Sequence, residues 1–223
     1  MIENDGLISE LSESVLALPA DKPRIVAIDG FDGVGKTVLA DQLANRLKSC
    51  GRQIIRASVD GFHNPRAVRY RNGKSSPSGF YRDSYNYFAL REALLEPLGP
   101  GGSRQCVTAV FDVESDLPIA LSQITADEDS ILILDGIFLH RSELVSFWDL
   151  SVFLKAPFEV SIPRGAQRGN GSADPLAESN GRYIGGQKCY LAEADPENKA
   201  SIVVDHADLN KSRIINHKKP AFA

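Results

Sequence analysis

Gly30-Phe31-Asp32-Gly33-Val34-Gly35-Lys36-Thr37 fits G-x-x-x-x-G-K-[ST], the pattern of a phosphate-binding loop. The apolar run Arg24-Ile25-Val26-Ala27-Ile28-Asp29 precedes it and reads as a buried strand. Val38, Leu39, Leu43, Ala44 and Leu47 follow at helical spacing. Strand, glycine loop and helix together make a physical site. The glycines let the backbone curl so that successive N–H groups point at phosphate oxygens, and the helix adds its positive dipole end. Gly30, Phe31, Asp32, Gly33, Val34, Gly35, Lys36, Thr37 and Val38 are therefore the expected ATP-binding residues. Lys36 is expected at the β- and γ-phosphates and the Thr37 hydroxyl on Mg²⁺.

The chain's 223 residues suit one α/β domain. Hydrophobic content of 43% supports a real core, and a net charge of −4 argues against nucleic-acid or membrane-surface partners. Cys50, Cys106 and Cys189 form no C-x-x-C pair and read as reduced, mostly buried thiols. Residues 1–13 lack the layout of a signal peptide, and no run is long and apolar enough to span a bilayer. A cytoplasmic protein is expected.

Leu7, Leu11, Val15 and Leu18 share one face of a helix that Pro19 stops. A second strand runs over 53–59 and ends at Asp60. The segment 61–79 is polar and carries Arg66, Arg69, Arg71 and Lys74. A helix is predicted over 83–95, with Tyr87, Leu90, Leu94 and Phe88 inward, and Pro97 and the glycines after it end it. A third strand is predicted over 106–111, leading into Asp112. Ile131-Leu132-Ile133-Leu134 is apolar enough to be covered on both faces, and it ends at Asp135. Strands at 150–154 and, last, 200–204 follow. Alternating strands and helices give a mostly parallel sheet, and ligands of such sheets gather beyond the carboxyl ends of the strands. Asp60, Asp112, Asp135 and Asp205 are the polar residues expected there.

Asp135 suits Mg²⁺, directly or through water. Asp60, an acceptor-only carboxylate, suits the proton of an alcohol being phosphorylated. His63 reads equally as a substrate contact or a structural histidine. Arg164 and Arg168 lie one helical turn apart and suit a clamp on the phosphoryl group, on a lid made mobile by Gly165, Gly169 and Gly171. Arg66, Arg69 and Arg71 are either an attractor for an anionic substrate or a solvated loop. The acceptor is expected between the end of the second strand, the 75–83 loop and Asp112.

The order of these pieces resembles the uridine kinase, phosphoribulokinase and bacterial pantothenate kinase family of P-loop kinases, from Arg24 to about Asp205. Beyond the loop the likeness rests on Val59-Asp60-Gly61-Phe62-His63, Ser76-Pro77-Ser78-Gly79-Phe80-Tyr81, Arg82-Asp83-Ser84-Tyr85, Ala109-Val110-Phe111-Asp112, Leu132-Ile133-Leu134-Asp135-Gly136-Ile137-Phe138 and Ile202-Val203-Val204-Asp205. It implies a P-loop NTPase fold with a five-stranded parallel sheet, a substrate-binding insertion at 61–103 and a lid at 157–185, behind an N-terminal helix within 1–19. It implies Asp60 as catalytic carboxylate with Lys36, Arg164 and Arg168, Thr37 and Asp135 at the metal, and His63, Arg66, Tyr81 and Asp112 near the substrate. ATP and Mg²⁺ are the implied cofactors, and a small hydroxyl compound, a nucleoside first and pantothenate or a sugar next, is the implied partner. An oligomer is compatible with this reading.

The departures concern the acceptor. Asp116 stands near the position of a uracil-contacting histidine, and Phe80 and Tyr81 replace an acidic sugar contact. Asp135 stands for the usual Glu, Arg168-Gly169 for an arginine–aspartate pair, and Asp32 adds a charge that is expected to point away from the nucleotide. The competing class is a nucleotide switch or hydrolase acting through a protein partner. Asn198-Lys199-Ala200-Ser201 lacks the aspartate that would read guanine, which disfavours GTP.

Overall fold

The computed structural model describes residues 5–167, 169 and 171–218. Helix α1 (Asp5–Leu16) leads into β1 (Arg24–Gly30), α2 (Lys36–Lys48) and β2 (Ile54–Ser58). Further helices are α3 (Pro77–Asp83) and α4, which runs on through Tyr87–Leu90, a π-helical stretch Arg91–Leu95 and Glu96–Leu98. Four two-residue strands follow: β3 (Gln105–Cys106), β4 (Phe111–Asp112), β5 (Leu117–Pro118) and β6 (Ile124–Thr125). The chain then returns to the sheet with β7 (Ile131–Gly136) and β8 (Leu150–Lys155). Helices α5 (Phe158–Ala166) and α6 (Gly181–Ala194) and strands β9 (Ile202–Asp205) and β10 (Arg213–His217) complete it.

The central sheet has six strands in the order β10-β9-β8-β1-β7-β2. All pairs are parallel except β10 with β9. Every residue of β1 and β7 is buried, as strands covered on both faces require. Alternate residues feed two cores. Val26, Ile28, Ile131 and Ile133 pack with α1 and α2, whereas Ile25, Ala27, Leu132 and Leu134 pack with α3, α4 and α6. Among the described residues no helix is long and apolar enough to cross a membrane.

Four expectations change. The 106–111 segment is not a strand of the central sheet. Val107 N–H donates to the Ala93 carbonyl (3.0 Å) and Val110 N–H to that of Gly61 (2.9 Å), so its amides are spent on the insertion. The sheet reaches six strands because β10 adds an antiparallel edge beyond the last strand foreseen. The helix expected over 83–95 is two helices. Asn64 Nδ2 binds the carbonyls of Asp83 (3.0 Å) and Tyr85 (2.9 Å), Asn86 N–H reaches Phe62 O (2.7 Å), and the Asn86 side chain caps α4 through Ala89 N–H. Phe88, expected inward, is exposed. Of the three free cysteines only Cys106 is fully buried, and Cys50 is exposed.

Candidate active site

Beyond the carboxyl ends of β1, β2 and β7 the chain leaves a cleft with two joined chambers. The smaller, about 140 Å³, is lined by Asp32, Gly33, Gly35, Lys36 and Thr37 of the loop, with Ser58, Asp60 and Asp135 opposite. The larger, about 580 Å³, is lined by Phe80, Tyr85, Ile137, Ile162, Asn180 and Tyr183, among others, and by His63. Asp32 and Asp60 line both.

Gly33 and Gly35 carry φ of +74° and +111°, which favour glycine, and they give the loop its curl. Gly33 also lies directly under α5, where a Cβ would run into the Ser161 carbonyl oxygen. Gly33→Ala is therefore expected to push α5 off the loop and weaken ATP binding at least about tenfold, read by titration with a fluorescent ATP analogue. Lys36 Nζ donates to the Phe31 carbonyl (2.8 Å), which holds the ammonium over the loop.

At the chamber floor Thr37 Oγ1 donates to Asp135 Oδ2 (2.7 Å), and Arg56 Nη2 takes Asp135 Oδ1 (3.0 Å). These hard oxygen donors fit Mg²⁺ shared with phosphate oxygens and water. Among the described residues no three His, Cys, Asp or Glu side chains form a self-contained metal cage. A cation that arrives with a nucleotide needs none.

Asp60 sits in the 3₁₀ turn Val59–Phe62 that continues β2. Tyr85 OH donates to its Oδ1 (3.1 Å). Burial, reinforced by the Asp60 charge, drives the Tyr85 phenol well above its ordinary pKa, so the phenol keeps its proton and remains a donor. His63 Nδ1 lies 2.8 Å from the Asp60 carbonyl. A carbonyl only accepts, so the proton is on Nδ1 and Nε2 is a bare acceptor. Burial lowers the His63 pKa, which keeps the ring neutral.

Below the loop, Asp29 is wholly buried and holds five donors. Its Oδ1 accepts from Gly30 N–H (2.7 Å). Its Oδ2 accepts from Leu139 N–H (3.1 Å), His140 N–H (3.2 Å), His140 Nδ1 (2.7 Å) and the Tyr190 hydroxyl. This node joins the loop, the segment after β7 and α6. Farther along α6, Gln187 Oε1 accepts from Asp32 N–H (2.9 Å).

No protein-family model matches the chain. Solved structures do. A possible uridine kinase from Bacillus stearothermophilus superposes with a TM-score of 0.72 at 24% identity, covering 90% of this chain and 98% of that one. A putative fructose transport system kinase from Silicibacter sp. TM1040 gives 0.66 at 21% identity, covering 84% and 95%. D-glycerate 3-kinase from Cryptococcus neoformans gives 0.60 at 11% identity, covering 94% and 99%. The fold is that of the P-loop kinases.

Within this P-loop kinase fold several expected site residues lie elsewhere. Arg164 lines neither chamber. Its guanidinium donates to the carbonyls of His206 (2.9 Å) and Ala207, so it ties α5 to the turn after β9. Arg168 lies outside the described residues. Phe31 stacks on Phe158 (4.8 Å between rings) and meets Phe153 edge-on, so its ring anchors the loop in the core. Val34 is also core, and neither Gly30 nor the half-exposed Val38 lines either chamber. Asp32, expected to face away, faces both chambers.

On the acceptor side, Tyr81 is buried under the Arg141 guanidinium (4.5 Å to the ring centroid) and against Phe138. Its neighbour Phe80 faces the cavity instead. Asp112 caps its own turn, accepting from Ser115 Oγ (2.7 Å) and Glu114 N–H (3.1 Å). In the arginine loop two guanidinium groups are taken up by carboxylates. Asp116 accepts from the Arg66 backbone (2.8 Å) and from Arg69 Nη2 (3.1 Å), and Arg71 pairs with Asp83. Tyr85, Tyr183 and Asp29 were not foreseen. Tyr85 and Asp29 had a signal, a polar group beside a motif residue, whereas the position of Tyr183 depends on how α6 packs.

His206 abuts Gly35 from behind, and Ser212 Oγ lies 2.7 Å from its Nδ1. Burial, with help from Arg164, lowers its pKa to about 4. The unfolded chain then binds this proton more readily than the fold does, so the stabilisation is complete above the ordinary value near 6.5 and is lost as pH falls toward 4. Urea titrations should show about 2 kcal/mol lost from this group between pH 7 and pH 5, and His206→Asn should remove that part of the slope.

Proposed function

We propose that this chain is an ATP-dependent small-molecule kinase that moves the γ-phosphoryl group of ATP to a hydroxyl of a small metabolite, most readily a nucleoside. The observation that carries the reading is that Asp60 borders both chambers, one built from phosphate-loop backbone and the other walled by rings and aliphatic side chains. The solved neighbours described as kinases of uridine, of a fructose transport system and of D-glycerate support the reaction class. On this reading residues 61–103 bind the acceptor and 157–185 form the lid, in a chain that works in the cytoplasm.

In the mechanism, loop amides and Lys36 hold the phosphate tail in line with the acceptor. Mg²⁺, held by Thr37 and Asp135 with the nucleotide, would neutralise phosphate charge. Asp60, oriented by Tyr85, takes the acceptor proton as the acceptor oxygen–phosphorus bond forms and the bond from phosphorus to the leaving ADP oxygen breaks. Both products then leave as alcohol phosphate and ADP. Arg168 is retained as a proposed contact to the transferring group. Arg164 serves the lid by fastening α5.

The test is ADP release measured with nucleosides, sugars and pantothenate as acceptors. ADP that appears only with an alcohol, together with its phosphorylated product, supports the kinase. Hydrolysis stimulated by a protein and by no alcohol would reverse the conclusion in favour of a partner-driven hydrolase.

A further inference from the structure

The polar end of the larger cavity is built almost wholly of hydrogen-bond acceptors. Asp60 has spent only Oδ1, on Tyr85. His63 presents Nε2 without a proton. The Asp32 carboxylate receives no hydrogen bond among the described residues, although its backbone N–H is fixed by Gln187. Ser161 lines the same cavity, and its wholly buried hydroxyl has no partner among the described residues. Neither lysine nor arginine appears among the described residues lining this cavity, and Lys36 in the adjoining chamber is directed at the loop. Among the described residues such a cavity asks for donors and offers no countercharge to an anion.

Resting on the kinase reading above, we propose that Asp32 is the acceptor-selecting residue: with Asp60 it grips two neighbouring hydroxyls of an uncharged polyol, and the two carboxylates together turn away alcohols that carry a carboxylate or phosphate of their own. Asp60 takes the reacting hydroxyl and Asp32 the one beside it. The planar or apolar body of the acceptor lies along Phe80, Ile137, Ile162 and Tyr183, where Phe80 and Tyr183 meet edge to face at 4.9 Å between centroids. Burial raises the Asp32 carboxyl above its ordinary pKa, Lys36 pulls it back down, and Asp60 adds to the rise. A carboxylate in that position gains most from hydroxyl donors and loses most from a third negative charge. Neutral sugars and nucleosides satisfy these demands. Pantothenate and glycerate do not.

The test uses the full chain, Asp32→Asn and Asp32→Ser, with thermal melts to establish that each variant folds. ADP release is measured with neutral polyols, with pantothenate and D-glycerate, and with the best neutral acceptor against its mono-deoxy analogues. The wild type is expected to favour the best neutral acceptor over either acid by at least about tenfold in kcat/KM. Removing the neighbouring hydroxyl should cost it about 10- to 100-fold, but less than about threefold in Asp32→Ser, whose side chain is too short to reach that hydroxyl. Both variants should accept the acids relatively better, because one of the two negative charges facing the acceptor is gone. A wild type that prefers an acid, or a deoxy penalty unchanged in both variants, overturns the role of Asp32 and leaves the kinase standing. ATP binding with no ADP from any alcohol removes the kinase reading and this one with it.

Discussion

Asp60→Asn is expected to lower kcat by about 100- to 10,000-fold while ATP binds nearly as before. Asparagine keeps the shape of the side chain and can still accept from Tyr85 through its carbonyl oxygen. It cannot take a proton from an alcohol. Because the loss belongs to the transition state, kcat and kcat/KM for the acceptor should fall together. Isothermal titration with a non-hydrolysable ATP analogue, beside single-turnover transfer, separates the two effects. Full activity in this variant would show that another group removes the proton, and Asp32, across the same junction, would be the first to examine.

Lys36→Ala should be at least as damaging but should fail at a different step. The ammonium, held over the loop by the Phe31 carbonyl, is the one cation among the described residues lining the smaller chamber. Without it the terminal phosphate loses its charge partner both at rest and in transfer. Turnover is expected to drop about 1,000-fold, with ATP affinity reduced about tenfold or more. An alanine variant that retains wild-type turnover would mean that phosphates are not handled at this loop.

The local parts of the site were legible because each is written in consecutive residues. The loop between β1 and α2 and the wholly apolar β7 ending in Asp135 carry their meaning within a few positions. Thr37 and Asp135 accordingly meet as expected. What failed depended on partners distant in sequence. Arg164 sits on α5 as foreseen, but carbonyls at 206 and 207 claim it, and nothing near it in the chain announces them. The segment after α4 has strand composition, yet Gly61 and Ala93 take its amides before a sheet can. Tyr81 and Phe80 are adjacent buried aromatics, and only the approach of Arg141 and α6 decides which of them lines the larger cavity. Asp32 looked like a liability as an isolated charge. In the fold it lines both chambers together with Asp60.

The buried node at Asp29 has a practical consequence for anyone wishing to retarget this scaffold. It fastens the root of the phosphate loop to Tyr190 and His140 without contributing to the wall of either chamber. The node therefore ties the loop to the segment after β7 and to α6, the two elements that carry Ile137 and Tyr183 into the wall of the larger chamber. A library meant to reshape the larger chamber is best confined to Phe80, Ile162 and Tyr183, with Asp29, His140 and Tyr190 kept, because losing the node would disturb the loop and the chamber wall together.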